Sequence, residues 1–256
     1  MNLRLDLAYN GAPFHGFARQ NDVRTVQGDV ERALNRLLGR ELSSVCAGRT
    51  DAGVHALGQV MNFPDIEGAS AVADLARVKD SLNGMLGPAI SISRCDLVGD
   101  GFSARFSARS RLYVYAILES PIPDPFLAPT SLWHRKPLDL EAMNEAAGHL
   151  IGAHDFSSFG RVEPGATAER NLFELRCSRH EGVIKIRARA NAFIQQMVRS
   201  LVGTLVYAGE GRKSPDDMPG ILLGRERALA GPVAPAHGLC LVSVEYDDGW
   251  SGPGAG

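Results

Sequence analysis

The chain has 256 residues, 45% of them hydrophobic and 22% charged, with a formal net charge of -2. This is ordinary globular composition, enough for one large domain or two small ones whose core needs no disulfide or metal staple. It excludes low complexity, collagen-like repeats and wholesale disorder, and its near-neutral charge argues against indiscriminate nucleic-acid binding.

LRLDLAY (3–9) alternates, with Leu3, Leu5, Leu7 and Tyr9 on one side, and predicts a half-buried strand. GAPFHG follows as a turn-rich loop. Val26, Val30, Ala33, Leu34, Leu37 and Leu38 form a helical stripe, with Thr25 as N-cap, Gly39 as stop and Arg32, Arg36 and Arg40 outward. LSSVCAG and GQVMNF read as two short strands flanking GRTDAGVHAL. A second helix is expected over about 71–84 and a strand near Ile90–Leu97. RLYVYAIL (111–118) reads as a strand, DLEAMNEAAGHL as a helix and 155–170 as loop. Residues 171–179 and 183–190 predict a hairpin across His180–Gly182. Ile194, Met197, Val198, Leu201, Val202 and Leu205 predict an amphipathic helix, with Arg199 on a polar face beside Gln195, Gln196 and Gly203. A short helix near 215–223 and the strand LCLVSVEY end the pattern.

Period-2 strands and hairpins argue against a purely parallel sheet. The expected class is α+β, two similar halves sharing a largely antiparallel sheet with helices on one side and a cleft between the halves. The expected division is an N-terminal α/β half over 1–106, a C-terminal α/β half over 107–248 and a flexible tail over 249–256.

Of the 27 basic residues only Lys79, Lys136, Lys185 and Lys213 are lysines. The arginine skew suits phosphate forks and base stacking, and equally the codon bias of a GC-rich genome. Between Arg176 and Arg199 lie six basic residues and one acid, Glu181. Around Arg105, Arg109 and Arg111 only Asp100 is close in sequence to offset the charge. In IKIRARA, Lys185, Arg187 and Arg189 share one strand face, either a solvated face or one that tracks a nucleic-acid backbone. Cys46, Cys95, Cys177 and Cys240 lie far apart without CxxC spacing and read as reduced thiols of a cytoplasmic protein. No apolar run approaches the roughly 20 residues of a membrane span, and MNLRLDLAYN is unlike a signal peptide. The chain has no GxxxxGK followed by Ser or Thr, no GxGxxG after a strand, no HExxH, no GxSxG and no zinc-deaminase signature. No cofactor or metal is therefore expected.

AGRTDAGVHALGQV (47–60) stands out. Gly48, Gly53 and Gly58 permit tight turns and close backbone approach, and apolar strands bound the polar Arg49, Asp51 and His55. A loop held by two strands is a rigid place to put chemistry. An aspartate in water is ionised at neutral pH, ready to act as nucleophile or base. The plainer reading is that Asp51 caps a turn.

GRTDAGVHALGQV closely resembles the signature of the TruA-type tRNA pseudouridine synthases. The resemblance extends through YNGAPFHGFARQ, FSARFSARSRLYVY and NAFIQQMVRSLVG, from about Leu3 to Tyr246 in the family's order and spacing. It implies the pseudouridine synthase fold with a central RNA-binding cleft. It implies isomerisation of uridine to pseudouridine at positions 38, 39 and 40 of the tRNA anticodon arm, with no cofactor, metal or ATP, by a homodimer. Asp51 is then the catalytic residue, Tyr113 lies against the target base, Arg199 pairs with the catalytic carboxylate and Arg49 helps extrude the nucleotide. His55 either supports the loop or contacts substrate, and Arg187 and Arg189 are candidate RNA contacts.

That chemistry suits these residue types. The C1′–N1 bond breaks, the uracil turns and C5 rejoins C1′, with no net oxidation or hydrolysis. The site must be dry, and a uridine in a stem must be flipped at a cost of a few kcal/mol. Asp51 either attacks C1′ or removes the 2′ proton. Tyr113 would otherwise read as a core strand residue and Arg199 as an exposed helix residue. The chain departs from the family at Phe17 (commonly Trp), at Gln195 and Gln196 (often His or Arg) and at Gly160 (usually longer, often basic). Two competing readings are a catalytically silent tRNA-binding protein and the same chemistry on another RNA.

Overall fold

Leu3, Leu5 and Leu7 line one side of β1 (Asn2–Tyr9) and are fully buried, as their alternation predicts. The other side is buried too, which corrects the half-buried expectation. Arg4 and Asp6 are 0% and 1% exposed and paired at 2.9 Å. The Arg4 guanidinium lies 5.2 Å from the Phe102 ring centroid and 4.8 Å from that of Tyr246. A charge pair roofed by aromatic rings is satisfied without water, so the polar half of the alternation need not face solvent.

The computed structural model describes residues 1–66, 74–163 and 165–247. The chain forms two units, Met1–Arg109 together with the chain from Leu241 on, and Ser110–Cys240. The last strand, placed by sequence in the C-terminal half, thus belongs from Leu241 onward to the first unit.

In the first unit, Thr25 caps α1 (Val26–Leu38) by accepting from the Gly28 N–H at 3.3 Å. Gly39 ends it in the left-handed region and donates to the Asn35 carbonyl at 2.8 Å. The flanking strands are β2 (Val45–Cys46) and β3 (His55–Phe63). The second helix, α2 (Leu75–Leu86), starts later than expected, capped by Asp74; residues 71–73 lie outside the described residues, as does the expected tail over 249–256. β4 (Ile90–Val98) follows. With β10 (Leu239–Glu245) the strand order is β4-β1-β3-β10, and β2 pairs with β3. The pairings β1–β3, β1–β4 and β2–β3 are antiparallel. α2 packs on β4 and on α1.

In the second unit, β5 (Ser110–Glu119), β9 (Val183–Ala190), β8 (Glu169–His180) and β7 (Gly152–Asp155) are neighbours in that order, all antiparallel. The expected hairpin turns at Glu181 and Gly182, both at positive φ (48° and 76°), the two-residue turn that matches strand twist. β6 (Leu132–His134) runs parallel to β5 and was not expected. Residues 155–170 are not all loop: β7 ends at Asp155, a short 3-10 turn covers Ser157–Phe159 and β8 begins at Glu169. α3 (Leu140–Gly148), capped by Asp139, packs on β8 and on α4 (Met197–Gly209); α5 (Asp217–Gly224) follows. The class is α+β, with a largely antiparallel sheet.

α4 differs from the amphipathic helix expected. Ile194 precedes it, Gln196 takes a left-handed N-cap (φ 65°), and Ser200, Gly203 and Thr204 are buried beside the apolar stripe. Gly203 faces chain, not solvent: a Cβ there would lie 1.8 Å from the Pro232 carbonyl oxygen. A helix buried nearly all round needs a cover, which residues 231–235 supply.

Candidate active site

The loop carrying Asp51 is fixed by its neighbours at almost every residue. Ala47 N–H donates to the Val60 carbonyl (2.9 Å), and the Gly48 carbonyl accepts from Gln59 Nε2 (2.7 Å). Thr50 is held twice: its hydroxyl bonds the Tyr9 hydroxyl at 2.8 Å and its carbonyl accepts from Phe17 N–H at 3.0 Å. The Asp51 carbonyl accepts from Val54 N–H at 3.1 Å, closing a turn that places Gly53 at φ 80°, where glycine is favoured. Asp51 itself is partly exposed at the start of this turn. A carboxylate on a clamped backbone is held in place before substrate arrives.

His55 joins this loop to residues 10–19. Its Nδ1 accepts from the Gly11 N–H at 3.1 Å, and the ring is 9% exposed. Acceptance at Nδ1 places the proton of the neutral ring on Nε2. Gly11 sits so close that a Cβ would meet the Val54 carbonyl oxygen at 2.1 Å. The Gly11 bond ties the His55 ring to residues 10–19. Arg49 is exposed, two residues before Asp51. Burial pushes the neighbouring Cys46 thiol up to about 11, although Arg49 and Arg105 pull it down. Cys95 and Cys177 are likewise pushed up, to about 11 and about 12, by burial, and none of the four cysteines forms a disulfide.

In the second unit, Tyr113 on β5 pairs in register with Ala188 and is 7% exposed, its ring edge-on to Phe193 at 5.2 Å. Arg199 is locked by a reciprocal pair: its Nε donates to the Ala234 carbonyl at 2.7 Å, and its own carbonyl accepts from Ala234 N–H at 3.0 Å. Its guanidinium is near enough to Tyr115 to oppose the upward push that burial gives that phenol. Tyr115, fully buried, donates to the Pro235 carbonyl at 2.9 Å. Segment 231–235, which sequence reading passed over, therefore places Arg199; its Gly-Pro-Val-Ala-Pro composition was the available signal.

The basic stripe on β9 is less bare than its sequence window suggests. Arg187 Nε and Arg189 Nε lie 2.9 and 3.5 Å from the two carboxylate oxygens of Glu174 on β8, two residues before that window opens. Arg189 also stands 5.8 Å from the Phe173 ring centroid. Arg109, expected to lack an acid beyond Asp100, makes a two-bond fork with Asp247, both contacts 2.6 Å. Gly160 lies against residues 194–195: a Cβ would meet the Gln195 carbonyl oxygen at 2.5 Å. Phe17 is fully buried with its ring 6.1 Å from that of Tyr9. Among the described residues no group of three or more His, Cys, Asp or Glu side chains is placed to hold a metal ion, and no helix is long and apolar enough to cross a membrane.

A family model described as tRNA pseudouridine synthase matches residues 146–247. The tRNA pseudouridine synthase A of Frankia casuarinae is 47% identical over 251 residues, covering 96% of this chain and 89% of that protein. The protein of the same name from Allorhizobium ampelinum is 41% identical over 259 residues, covering 96% of each chain. That from Janthinobacterium sp. is 37% identical over 256 residues, covering 97% of this chain and 93% of that protein. With identity of this order along nearly its whole length, the chain belongs to the tRNA pseudouridine synthase A family.

Proposed function

We propose that this chain isomerises uridine to pseudouridine at positions 38, 39 and 40 of the tRNA anticodon arm, with Asp51 as the catalytic carboxylate. The observation that carries the residue assignment is the clamped GRTD loop: Thr50 is bonded through both side chain and carbonyl, and the turn closes on the Asp51 carbonyl. Such a loop delivers one carboxylate to one place, as glycosidic cleavage at a single ribose requires. The C1′–N1 bond breaks with its electron pair on the uracil; the base turns and C5 bonds to C1′. C5 then gives up its proton to a base or water while N1 takes one up, which restores the ring with no net change in protons. Whether the carboxylate attacks C1′ or takes the 2′ proton, it must stand beside the ribose.

Three further roles belong to this reading. Arg49, exposed beside Asp51, meets the backbone of the extruded nucleotide. Tyr113 offers an aromatic face to the base, with Phe193 bracing its ring. Arg199 is the cation that balances the catalytic carboxylate, and its bonds with Ala234 fix where its charge sits. The working protein is a cytoplasmic homodimer, in keeping with four cysteines that form no disulfide and with a tRNA substrate.

The test is position mapping. Unmodified tRNA transcripts carrying a single anticodon-arm uridine, at 38, 39 or 40 in turn, are incubated with the protein and mapped for pseudouridine. Conversion at each of the three is expected. Conversion only outside the anticodon arm, or only in ribosomal RNA, refutes the assignment, and sedimentation of the free protein as a monomer refutes the dimer.

A further inference from the structure

Phe106 is 81% exposed, yet the turn that carries it is held firmly. Its N–H donates to Ser103 Oγ at 3.3 Å, Ser107 N–H donates to the Ser103 carbonyl at 2.9 Å, and Ser103 N–H donates to Ser107 Oγ at 3.0 Å. Ala104 is bound on both sides, its N–H to Asn62 Oδ1 at 2.8 Å and its carbonyl to the Tyr246 hydroxyl at 2.7 Å. A phenyl on a loose loop can fold back onto apolar surface; a turn tied down at 103, 104 and 107 keeps this one in water and forgoes the gain of burying it. Exposed aromatics on rigid supports mark binding surfaces.

Beside Phe106 lies a hollow of about 580 Å³ lined by Phe102, Phe106, Arg109, Tyr246 and Asp247. That is the size of a small-ligand site and admits a nucleotide. The Asp247 carboxylate is held in the Arg109 fork, so this acid, the one that lines the hollow among the described residues, is already balanced. The Arg105 guanidinium stands 5.4 Å from the Phe106 ring centroid. The Ala104–Asn62 bond ties this turn to β3, and Asn62 pairs with Val45 on β2, the strand that leads into the Asp51 loop; Arg105, like Arg49, lies within electrostatic reach of Cys46 on that strand.

We propose that Phe106 and Arg105 form a second nucleotide subsite beside the Asp51 loop, where the phenyl ring stacks a base of the bound RNA and Arg105 meets its phosphate. The inference rests on the function proposed above, because the occupant is a nucleotide of the same RNA, other than the one isomerised. Stacking needs only the π-face that every base has, so the subsite adds affinity without reading sequence.

The experiment measures binding of unmodified tRNA to the full-length wild type, Phe106→Ala, Phe106→Trp and Arg105→Ala over a range of salt concentrations, with isomerisation of the same tRNA assayed in parallel. Phe106 is on the surface, and a thermal melt confirms that its variants fold. Phe106→Ala is expected to weaken binding about 5- to 100-fold with an unchanged salt slope. Phe106→Trp should keep wild-type affinity, and Arg105→Ala should lower the salt slope by about one phosphate contact. Phe106→Ala binding within about twofold of wild type, while wild type isomerises the tRNA, overturns the subsite and leaves the enzyme assignment standing. Altered self-association with unchanged tRNA affinity also overturns it, giving the hollow to a second copy of the chain. Wild type that neither binds nor isomerises tRNA overturns both readings.

Discussion

Replacing His55 tests whether the Asp51 loop depends on the bond between Gly11 and the imidazole. That bond, 3.1 Å from Gly11 N–H to Nδ1, is buried. His55→Leu fills much of the same space and removes the acceptor. His55→Asn places an oxygen close to where Nδ1 lies. A buried N–H left without its partner costs about 1–3 kcal/mol. In a chain of this size each kcal/mol lowers the melting temperature by about 2–4 °C. His55→Leu should therefore melt about 2–12 °C below wild type, and His55→Asn less than half as far below. The bond also ties residues 10–19 to the turn after Asp51, and a 1 Å misplacement at a reacting centre can cost about 100-fold. His55→Leu should accordingly lose about tenfold or more in kcat, with a smaller change in KM, while His55→Asn stays within a few-fold. Thermal unfolding and steady-state tRNA modification measure both. If His55→Leu equals His55→Asn in melting temperature and kcat, the positioning argument is wrong. If both variants lose KM rather than kcat, His55 contacts substrate.

Gly11→Ala would put a methyl group 2.1 Å from the Val54 carbonyl oxygen; the backbone must move, so activity should fall at least about tenfold and stability by about 1–3 kcal/mol, and a fully active variant contradicts the packing. Because Glu174 already engages both arginines, Arg187→Ala with Arg189→Ala should reduce the salt slope of tRNA binding by about one contact rather than two, whereas Glu174→Gln should strengthen binding. An unchanged slope returns the stripe to a solvated face. Burial raises the Cys46, Cys95 and Cys177 thiols to about 11, 11 and 12, so the reactive thiolate is scarce below those values and grows as pH rises towards them. Alkylation of the folded protein should be slow at pH 8 and quicken on unfolding; rapid labelling of Cys95 or Cys177 at pH 8 contradicts their burial.

Local chemistry made much of the fold readable. Thr25 and Gly39 marked both ends of α1, and the alternation of β9 separated Ile184 and Ile186 in the core from Lys185 outside. What sequence missed has physical causes. β6 and β7 span three and four residues, too few for a period to show. Arg4 and Asp6 look like the wet side of an alternating strand until Phe102 and Tyr246, 98 and 242 residues after Arg4, close over its guanidinium. α4 is covered by residues 231–235, which carry no periodic pattern. At the candidate site the loop at 47–60 stood out through its glycines and enclosed polar residues. Its clamps, Tyr9, Phe17 and Gln59, are ordinary strand and loop residues whose task appears only when β1 and β3 are paired. Glu174 was missed because a charge window in sequence stops short of a partner across a bulged hairpin.

The central claim is that Asp51 performs the isomerisation. Tritium release from C5-labelled uridine in unmodified tRNA tests it most directly, with wild type and Asp51→Asn side by side in chelator-containing buffer without nucleotide. The account predicts release by wild type, none by Asp51→Asn, and the same melting temperature and tRNA affinity for both. Release by Asp51→Asn at the wild-type rate, or by neither protein although both bind tRNA, would contradict it.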